Sequence, residues 1–305
     1  LKTSRLRDTL AAIQSYYRHH FMDVLNDLER YQMIDLKVLA EIQMILKNEM
    51  FVEATYELMQ EFAAHNRIVG DDYLSSYVLK QDGIVVSESS HGILTDCYTG
   101  FHPHTSALRT LPGFTRAMYE EAGYDGEIIS LGIHRAYQIR HGAGPMPTAD
   151  ATMSESLLPG SNKDQNRWQG KVRVGPIDLV LLRYALAASG ERAYDGLAIT
   201  WFDQIEKLGS WQYCNRYCGA SDTALFTTAG DIKVRIGEDE AQLRHLSLLK
   251  KALATYTPIV EKIPLTPGAS RDDLYALCAE TLLEHLSVPV RMISFGPTER
   301  DKICK

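Results

Sequence analysis

The spacing of apolar residues divides the chain into a helical opening and a longer part in which strands and helices alternate. Residues 8 to about 33 and residues 36–65 carry apolar side chains at helical spacing, and no glycine or proline precedes Gly70. Two helices are therefore predicted for a helical opening segment, residues 1–70. The apolar stripe predicted for the first helix consists of Leu10, Ile13, Tyr17, Phe21, Val24, Leu25 and Leu28.

After residue 84 the pattern changes to strand-like runs separated by amphipathic stretches. Strands are predicted at residues 84–87, 197–200 and 288–294, and short strands across 211–263. Helices are predicted at 112–122, 176–189 and 270–286, while residues 128–139 fit either a strand or a helix. Ser270 and Asp273 form a capping box at the start of the last helix. This alternation predicts an α/β fold, with a mostly parallel central sheet flanked by helices, in a single domain spanning residues 1–305 (α/β core, 84–305).

The stretch from residue 139 to 190 is the most specific part of the sequence. Pro176 suits the first turn of its helix, Asp178 the positive helix start, and Gly190 the C-cap. Upstream, GAGPMPT (residues 142–148) holds two glycines and two prolines, which fix a backbone able to lie close to a flat or anionic ligand. Between loop and helix the chain places three cations within seven residues, Arg167, Lys171 and Arg173. This spacing predicts binding of an anionic small molecule.

The composition of the chain argues against several classes of function. A net charge of −7 argues against a general nucleic-acid binder, no apolar run reaches the length of a membrane span, and residues 1–7 are no signal peptide. The five cysteines are odd in number and lack a second spaced pair, so a zinc site is not predicted. They are interpreted as reduced thiols of a cytoplasmic protein. His102 and His104 are interpreted as turn histidines rather than a metal pair.

Five segments, in order, resemble motifs of the adenylosuccinate synthetases. GAGPMPT resembles that family's GAGPFPTE loop. KVRVGPIDLVLLRYA (residues 171–185) resembles its aspartate loop and following helix, R-R-x-G-W-x-D-x-V-x-x-R. Three further stretches are similar to F-E-G-A-Q-G-x-L-L-D…G-x-Y-P-Y-V-T-S, to L-T-K-L-D and to V-P-I-x-x-I-S-x-G-P-x-R-x-x-x-I. They are residues 84–106, 197–205 and 288–303.

The resemblance implies a ligase that joins L-aspartate to C6 of a purine nucleoside monophosphate through a 6-phosphoryl intermediate. A nucleoside triphosphate would donate the phosphoryl group, and the product would be an N6-succinyl purine nucleotide. The residues implied for the substrate nucleotide are His91, Thr105, Ser106, His141 and Gly142. Those implied for aspartate are Arg167, Lys171 and Arg173. Those implied for the donor nucleotide are Trp201, Asp203, Ser294, Gly296 and Pro297. Family members are homodimers, so a homodimer is also expected.

One family element has no counterpart in the sequence. The family's glycine-rich phosphate loop, which carries its catalytic aspartate, is absent, and so is the G-H-T element with the catalytic histidine. The chain is therefore expected to have a P-loop-related ligase fold without its N-terminal part, where the Mg2+ site would lie. No catalytic or metal-binding residue is assigned, and the chain alone is expected to be inactive. The alternative is a catalytically inactive nucleotide-binding or scaffolding homologue.

Two departures from the family's motifs bear on the substrates. Trp201 stands where the family's L-T-K-L-D has lysine, which replaces a charged hydrogen-bond donor by a flat indole suited to stacking. Together with WQGKVRVG (residues 168–175), this resembles the phage branch of the family, which joins aspartate to dGMP and can use an adenine nucleotide. The monophosphate is accordingly expected to be IMP or dGMP. The donor is ATP, dATP or GTP, and Trp201 favours ATP or dATP.

Overall fold

The structure, a computed structural model, describes residues 3–158, 165–166 and 169–305. The chain forms two compact units, Leu1–Val78 and Leu79–Lys305. Their boundary falls between the predicted helical opening (1–70) and the predicted α/β core (84–305). That both belong to a single domain stays a prediction.

The first unit is helical. Its helices are α1 (Thr3–Arg30), α2 (Leu36–Leu46), α3 (Phe51–His65) and the short α4 (Tyr73–Ser76). The prediction of one helix over residues 36–65 was wrong, because the chain breaks between α2 and α3. There the Asn48 side chain accepts a hydrogen bond from the backbone N–H of Met50 at 2.9 Å. Asparagine competes in this way with the helical backbone.

The apolar stripe of α1 is only partly covered. Leu10 and Leu25 are buried, whereas Tyr17 and Phe21 remain exposed. Helix α1 contacts α2 and α3 within its own unit. A bundle of so few helices buries one side of each helix and leaves the rest of a broad stripe in solvent.

The second unit contains the remaining helices and the strands. The helices are α5 (Pro112–Glu121), α6 (Ala151–Leu157), α7 (Leu179–Ser189), α8 (Phe202–Leu208), α9 (Glu240–Leu253) and α10 (Arg271–Leu286). The strands are β1 (Leu131–Arg135), β2 (Gln138–Arg140), β3 (Gln165–Asn166), β4 (Gly170–Lys171), β5 (Arg173–Gly175), β6 (Ile177–Asp178), β7 (Gly196–Thr200), β8 (Ser210–Cys218), β9 (Thr257–Pro264), β10 (Val290–Ser294) and β11 (Lys302–Cys304).

The main sheet has the strand order β1-β7-β10-β11. Strands β1, β7 and β10 are parallel, and β11 is antiparallel to β10. The prediction of an α/β fold with a mostly parallel central sheet is confirmed. Smaller groups are β6-β8-β9, β2-β5 and β3-β4. Strand β7 is buried along most of its length, as expected for a parallel strand covered on both faces.

A continuous apolar core lies on the main sheet. It joins Ile199 of β7 and Phe202 of α8 to Trp211 of β8 and Leu282 of α10. The indole N–H of Trp211 donates to the carbonyl of Ala136 at 2.9 Å, which fixes the link between β1 and β2. This core therefore holds in place the loops that follow β1 and β7.

Three local predictions need correction. Residues 84–87 form no strand, because a strand needs a hydrogen-bonded neighbour and none lies beside them in the described chain. The segment predicted as short strands (211–263) contains α9, whose N-cap Asp239 accepts from the N–H of Gln242 at 2.7 Å. The helix predicted to begin at Pro176 begins at Leu179, with Asp178 as its N-cap. Residues 128–139 become β1 and the start of β2.

Candidate functional site

The parallel strands of the main sheet end side by side. Arg135 is the last residue of β1, Thr200 the last of β7 and Ser294 the last of β10. In open α/β sheets, ligands bind beyond the carboxyl ends of the strands. The loops that follow these residues are therefore candidate ligand-binding segments.

A glycine loop follows β2 and is held by two arginines. Arg140 and Arg173 are opposite each other in the β2–β5 ladder. Arg140 donates through Nε to the carbonyl of Ala143 at 2.8 Å and through Nη2 to the carbonyl of His104 at 2.9 Å. Arg173 donates through Nη2 to the carbonyls of Gly142 and Gly144, both at 2.9 Å. The GAG turn is thus fixed from two sides by guanidinium groups.

Two glycines make this packing feasible. Gly144 has a φ of +115°, and a Cβ there would overlap the guanidinium of Arg140. A Cβ on Gly175 would overlap the carbonyl oxygen of Thr148, at the far end of the loop. Glycine is needed where backbone and neighbouring groups approach this closely. Strand β5 and the loop therefore form one tightly packed unit.

The charge around this loop is unbalanced. Burial lowers the pKa of Arg140 to about 10, with a further contribution from the positive charge of Arg173. Burial also lowers the pKa of Arg173. The pKa of His104 is lowered by burial first, and then by the positive charges of Lys250, Arg140, Arg173 and His102. We call His104, Arg140, Arg173 and Lys250 the basic cluster. Each charged neighbour acting on His104 is a cation, so an anion bound here would be stabilised.

Buried polar atoms at this loop lack partners. Among the described residues, Oγ1 of Thr148 and Nδ1 of His102 are shielded from solvent and make no hydrogen bond. An unsatisfied buried polar group costs about 1–3 kcal/mol. Thr148 ends the glycine loop, and His102 is among the residues whose charge acts on His104. Both atoms therefore keep an unused hydrogen-bonding position inside the protein near the loop.

The residues predicted for the substrate nucleotide fall into two groups. Thr105 and Ser106 directly follow His104, whose carbonyl accepts from Arg140, and His141 and Gly142 directly follow Arg140. These four lie along the two loops that the basic cluster joins. His91 is exposed, with a φ of +65°, and no described contact ties it to the cluster.

The residues predicted for aspartate are described in part. Arg167 lies outside the described residues. Lys171 is exposed at the end of β4, and Arg173 is half-buried at the start of β5. Val172 and Val174 are buried, so the two cations project to the opposite side of the extended chain. Arg173 faces the glycine loop, while Lys171 stands in solvent.

The residues predicted for the donor nucleotide lie at two adjacent strand ends. Trp201 follows β7 in a left-handed conformation, with a φ of +62°, and its side chain is 45% exposed. The Cζ atom of Arg135 lies 5.0 Å from its ring centroid, a cation–π geometry. Asp203 accepts from the side-chain amide of Gln204 and lies 4.0 Å from Nζ of Lys207.

The second donor loop follows β10, which is hydrogen-bonded to β7. The hydroxyl of Ser294 donates to the carbonyl of Gly296 at 2.9 Å, and Nζ of Lys302 donates to the same carbonyl. Phe295 packs on Phe202 with ring centroids 5.5 Å apart. Trp201 and Asp203 therefore flank a residue that touches the turn containing Ser294, Gly296 and Pro297. The structure brings these five residues to one edge.

Three basic residues of the site were missed by sequence reasoning. Arg140 lies two residues before Gly142, the first residue of the GAG motif, and that proximity was the available signal. Arg135 was hidden because residues 128–139 fitted two secondary structures. Lys250 had no signal, since it lies in α9, a helix that was not predicted.

The described residues contain neither a metal-ligand cluster nor a membrane-spanning helix. No three His, Cys, Asp or Glu side chains come together there as a potential metal site. Among the helices described, none is both long and apolar enough to cross a lipid bilayer. The Mg2+ that the resemblance implies thus finds no ligand set in this part of the chain.

Comparison with known proteins fits this geometry. The sequence profile of the adenylosuccinate synthetase family matches residues 7–303. The chain belongs to the adenylosuccinate synthetase family. The predicted family resemblance is confirmed.

Curated adenylosuccinate synthetases match this family member over most of its length. The enzyme of Thioalkalivibrio sulfidiphilus (strain HL-EbGR7) is 30% identical over 233 residues, which cover 73% of this chain and 48% of that protein. The enzyme of Moorella thermoacetica (strain ATCC 39073 / JCM 9320) is 28% identical over 262 residues, 79% of this chain and 54% of that protein. The chain thus spans about half the length of the curated relatives it matches.

The fold is also that of a solved family member. The fully ligated adenylosuccinate synthetase from Plasmodium falciparum superposes with a TM-score of 0.63 at 17% sequence identity. The match covers 93% of this chain and 64% of the Plasmodium chain. At this identity the likeness establishes the fold alone.

Proposed function

We propose that this chain forms the substrate-binding part of a ligase that joins L-aspartate to C6 of a purine nucleoside monophosphate. Family membership supports the reaction class, and the relatives matched are named as adenylosuccinate synthetases. The product would be an N6-succinyl purine nucleotide.

The basic cluster is the observation that carries this proposal. Both substrates are anionic, one through its phosphate and the other through two carboxylates. Arg140, Arg173 and Lys250 place positive charge around one glycine loop, His104 adds an imidazole that can donate a hydrogen bond, and burial has already removed part of the water that would screen the charge. Charge-assisted hydrogen bonds from arginine to phosphate or carboxylate are about twice as strong as neutral ones. The cluster suits the monophosphate, and Arg173, with Lys171 on the same side, suits aspartate.

The proposed chemistry explains why anion binding dominates the site. Oxygen 6 of the purine is a poor leaving group until the γ-phosphoryl group of the donor is transferred to it. The amino nitrogen of aspartate then attacks C6, the C6–O6 bond breaks, and phosphate leaves with the electron pair while the nitrogen loses a proton. Cations held in fixed positions can align the two anionic substrates for this attack. The residues of this chain would bind and orient, and no step is assigned to a metal held by them.

The donor is proposed to be ATP or dATP, bound at Trp201, Asp203, Ser294, Gly296 and Pro297. Arg135 already lies over one face of the Trp201 indole. Burial raises the pKa of the Tyr137 hydroxyl, and the charge and hydrogen bond of Arg135 oppose that rise. With its guanidinium engaged by Trp201 and Tyr137, Arg135 is a poor substitute for the lysine that could donate to O6 of guanine. The free face of the indole suits stacking by adenine.

The monophosphate is proposed to be IMP or dGMP, and the assembly a homodimer. The similarity of Trp201 and the WQGKVRVG stretch to the phage branch supports dGMP, and the wider family supports IMP. The two nucleotides differ at the purine 2-amino group and at the 2′-hydroxyl of the sugar. A comparison of the dissociation constants of IMP and dGMP distinguishes the two proposed substrates.

Calorimetric titration of the purified chain with IMP and with dGMP tests the proposal. Lys250→Met is the most useful variant, because Lys250 acts on the cluster by charge and makes no described hydrogen bond to the glycine loop. Lys250→Met should weaken binding of the tighter-binding nucleotide about threefold to tenfold, as expected for the loss of one partly exposed charge. Arg244→Met is the matched control on the same helix, since Arg244 is paired with Glu240. The proposal would be contradicted if neither nucleotide binds, or if Lys250→Met and Arg244→Met weaken nucleotide binding equally.

A further inference from the structure

Residues 96–110, which we call the His104 loop, are tied together by one buried carboxylate. Asp96 accepts hydrogen bonds from the backbone N–H of Tyr98 at 2.9 Å and from that of Thr110 at 2.6 Å, and its side chain is fully buried. Buried polar groups that are fully bonded make a structure rigid. Because both ends of the loop are bonded to the same carboxylate, the position of Tyr98 and the position of His104 are coupled.

Helix α9 is packed against this loop. Phe101 of the loop belongs to the same buried apolar cluster as Leu249 and Leu253 of α9. Near the start of the helix, Nε2 of Gln242 donates to the carbonyl of Tyr98 at 2.8 Å. The helix therefore contacts the loop through an apolar face and through one amide side chain.

Gln242 is fully buried, and its amide is used on both sides. Besides its bond to Tyr98, Nε2 donates to the carbonyl of Arg235 at 2.8 Å, and Oε1 accepts from Nη1 of Arg235 at 3.1 Å. Gln242 lies four residues before Leu246 and so continues the buried apolar face of α9. An apolar side chain would fit that face, whereas a buried amide is unfavourable unless it is hydrogen-bonded.

The amide supplies a direction that apolar packing lacks. Contacts between apolar side chains are non-directional, so the leucines alone would tolerate a shift of α9 along its axis. The hydrogen bond from Gln242 to Tyr98 fixes one point of the helix against the loop. Lys250 lies two turns further along, about 12 Å from Gln242. It directly follows Leu249, which packs in the cluster that contains Phe101.

We propose that Gln242 is a positioning residue for the substrate nucleotide. Its hydrogen bond to Tyr98 holds α9 in the register that places Lys250 against the His104 loop. Gln242 itself would touch no ligand. This inference rests on the proposed function, because the charge of Lys250 matters only if an anionic nucleotide binds at the basic cluster.

Calorimetric titration of the full 305-residue chain with IMP and with dGMP tests the proposal. Gln242→Met keeps the length of the side chain and removes its donor and its acceptor. Gln242→Glu removes the donor but keeps an acceptor for Arg235, so the two variants should differ in urea midpoint. Both should nevertheless weaken binding of the tighter-binding nucleotide about threefold to tenfold, the loss expected when the charge of Lys250 is misplaced.

Leu253→Val is the matched control on the same buried face of α9. It removes one methylene group and should lower the urea midpoint. It leaves the hydrogen bonds of Gln242 in place, so the dissociation constant of the nucleotide should not change. A role of Gln242 in stability alone would instead make nucleotide affinity follow the urea midpoint across the three variants.

A double-mutant cycle separates positioning of Lys250 from any other effect. In the Lys250→Met background, Gln242→Met should cause no further loss of affinity, because no charge is left to place. The proposal is overturned by additive losses in this cycle, by wild-type affinity in either Gln242 variant, or by equal weakening in Leu253→Val. Failure of the proposed function gives a different result. In that case wild type itself binds neither IMP nor dGMP, and the inference falls with it.

Discussion

Arg140 and Arg173 face each other as a register pair of the β2–β5 ladder, and each donates into carbonyl groups of the glycine loop or its neighbour. Two like charges in adjacent, partly buried positions repel each other. The carbonyl oxygens offset part of this repulsion, and a bound anion would offset more. The pair therefore fixes the loop, and the same groups would attract an anionic ligand.

Replacing Arg173 by alanine should raise the KM for aspartate in the assembled ligase. Loss of a charge-assisted contact costs about 1.5–3 kcal/mol, which corresponds to roughly 10-fold to 150-fold. Steady-state kinetics with varied aspartate measures the change, and Arg244→Ala is the surface control. Unchanged aspartate kinetics would mean that Arg173 serves only to hold the carbonyls of Gly142 and Gly144.

Replacing Gly175 by alanine should destabilise the protein and abolish monophosphate binding. The new Cβ would overlap the carbonyl of Thr148 and push the glycine loop away from β5. A steric conflict of this kind costs of the order of 2–4 kcal/mol. Gly113→Ala, in α5, meets nothing within 4 Å and is the matched control, neutral or slightly stabilising. Urea unfolding of both variants decides, and equal midpoints would contradict the packing described.

Asp178 should make stability fall as the pH rises from about 4 to 6. Burial raises its pKa to about 6, although hydrogen bonds from Tyr217 and from the N–H of Leu181 oppose that rise. The folded state then holds the proton more tightly than the unfolded state, so stability is lost as the proton leaves. Asp178→Asn should remove this dependence and gain about 1–3 kcal/mol relative to wild type between these limits.

Urea midpoints of wild type and Asp178→Asn at pH 4, 5 and 6.5 give the measurement. Tyr217→Phe serves as the second variant. It removes a donor to the carboxylate at 2.7 Å and should shift the pH-dependent loss to higher pH. Parallel curves for wild type and Asp178→Asn would show that the carboxyl group titrates equally in both states.

Wild-type protein should bind ATP or dATP more tightly than GTP. Trp201→Lys should shift the preference toward GTP, because lysine restores a charged donor for O6 of guanine and removes the stacking surface. Titration of both proteins with each nucleotide measures the ratio of dissociation constants. Arg135→Met is the accompanying variant, which uncovers the indole without adding a donor. Tighter binding of GTP than ATP by wild type would refute the adenine preference.

The 305-residue chain alone should form no succinyl purine nucleotide from IMP or dGMP, aspartate and a triphosphate. No phosphate loop occurs in its sequence, so the chain supplies no cradle for the transferred phosphoryl group. Chromatographic detection of product over hours is sensitive enough to decide. Turnover above a blank without protein would contradict the assignment of catalytic residues to another part of the ligase.

Local sequence signals gave the fold wherever the determinants were local. The capping box of Ser270 and Asp273 forms as predicted, and helix α10 ends at Leu286. The strand predicted at 84–87 failed because pairing is not a property of one segment. Helix α9 was missed although Asp239 and the leucines Leu246, Leu249 and Leu253 carry a helical signature, since strand-like neighbours dominated the interpretation.

The candidate site was harder to predict from the sequence than the fold, for a physical reason. Charged residues are seldom buried, so nothing in the sequence marks Arg140 as buried beside Arg173. The GAG motif identified His141 and Gly142, which follow Arg140 in the sequence. The burial of Arg140 and its position opposite Arg173 follow only from the pairing of β2 with β5. The same holds for Arg135 and Trp201, which are 66 positions apart in the chain.

The shared space of Gly144 and Arg140 has an evolutionary consequence. Any side chain at position 144 would compete with the guanidinium for one volume, so neither position can change by itself without loss. During evolution, substitutions at positions 140 and 144 should then occur together. A homologue with alanine at 144 would be expected to carry a shorter residue at 140, and with it a different way of holding its anionic ligand.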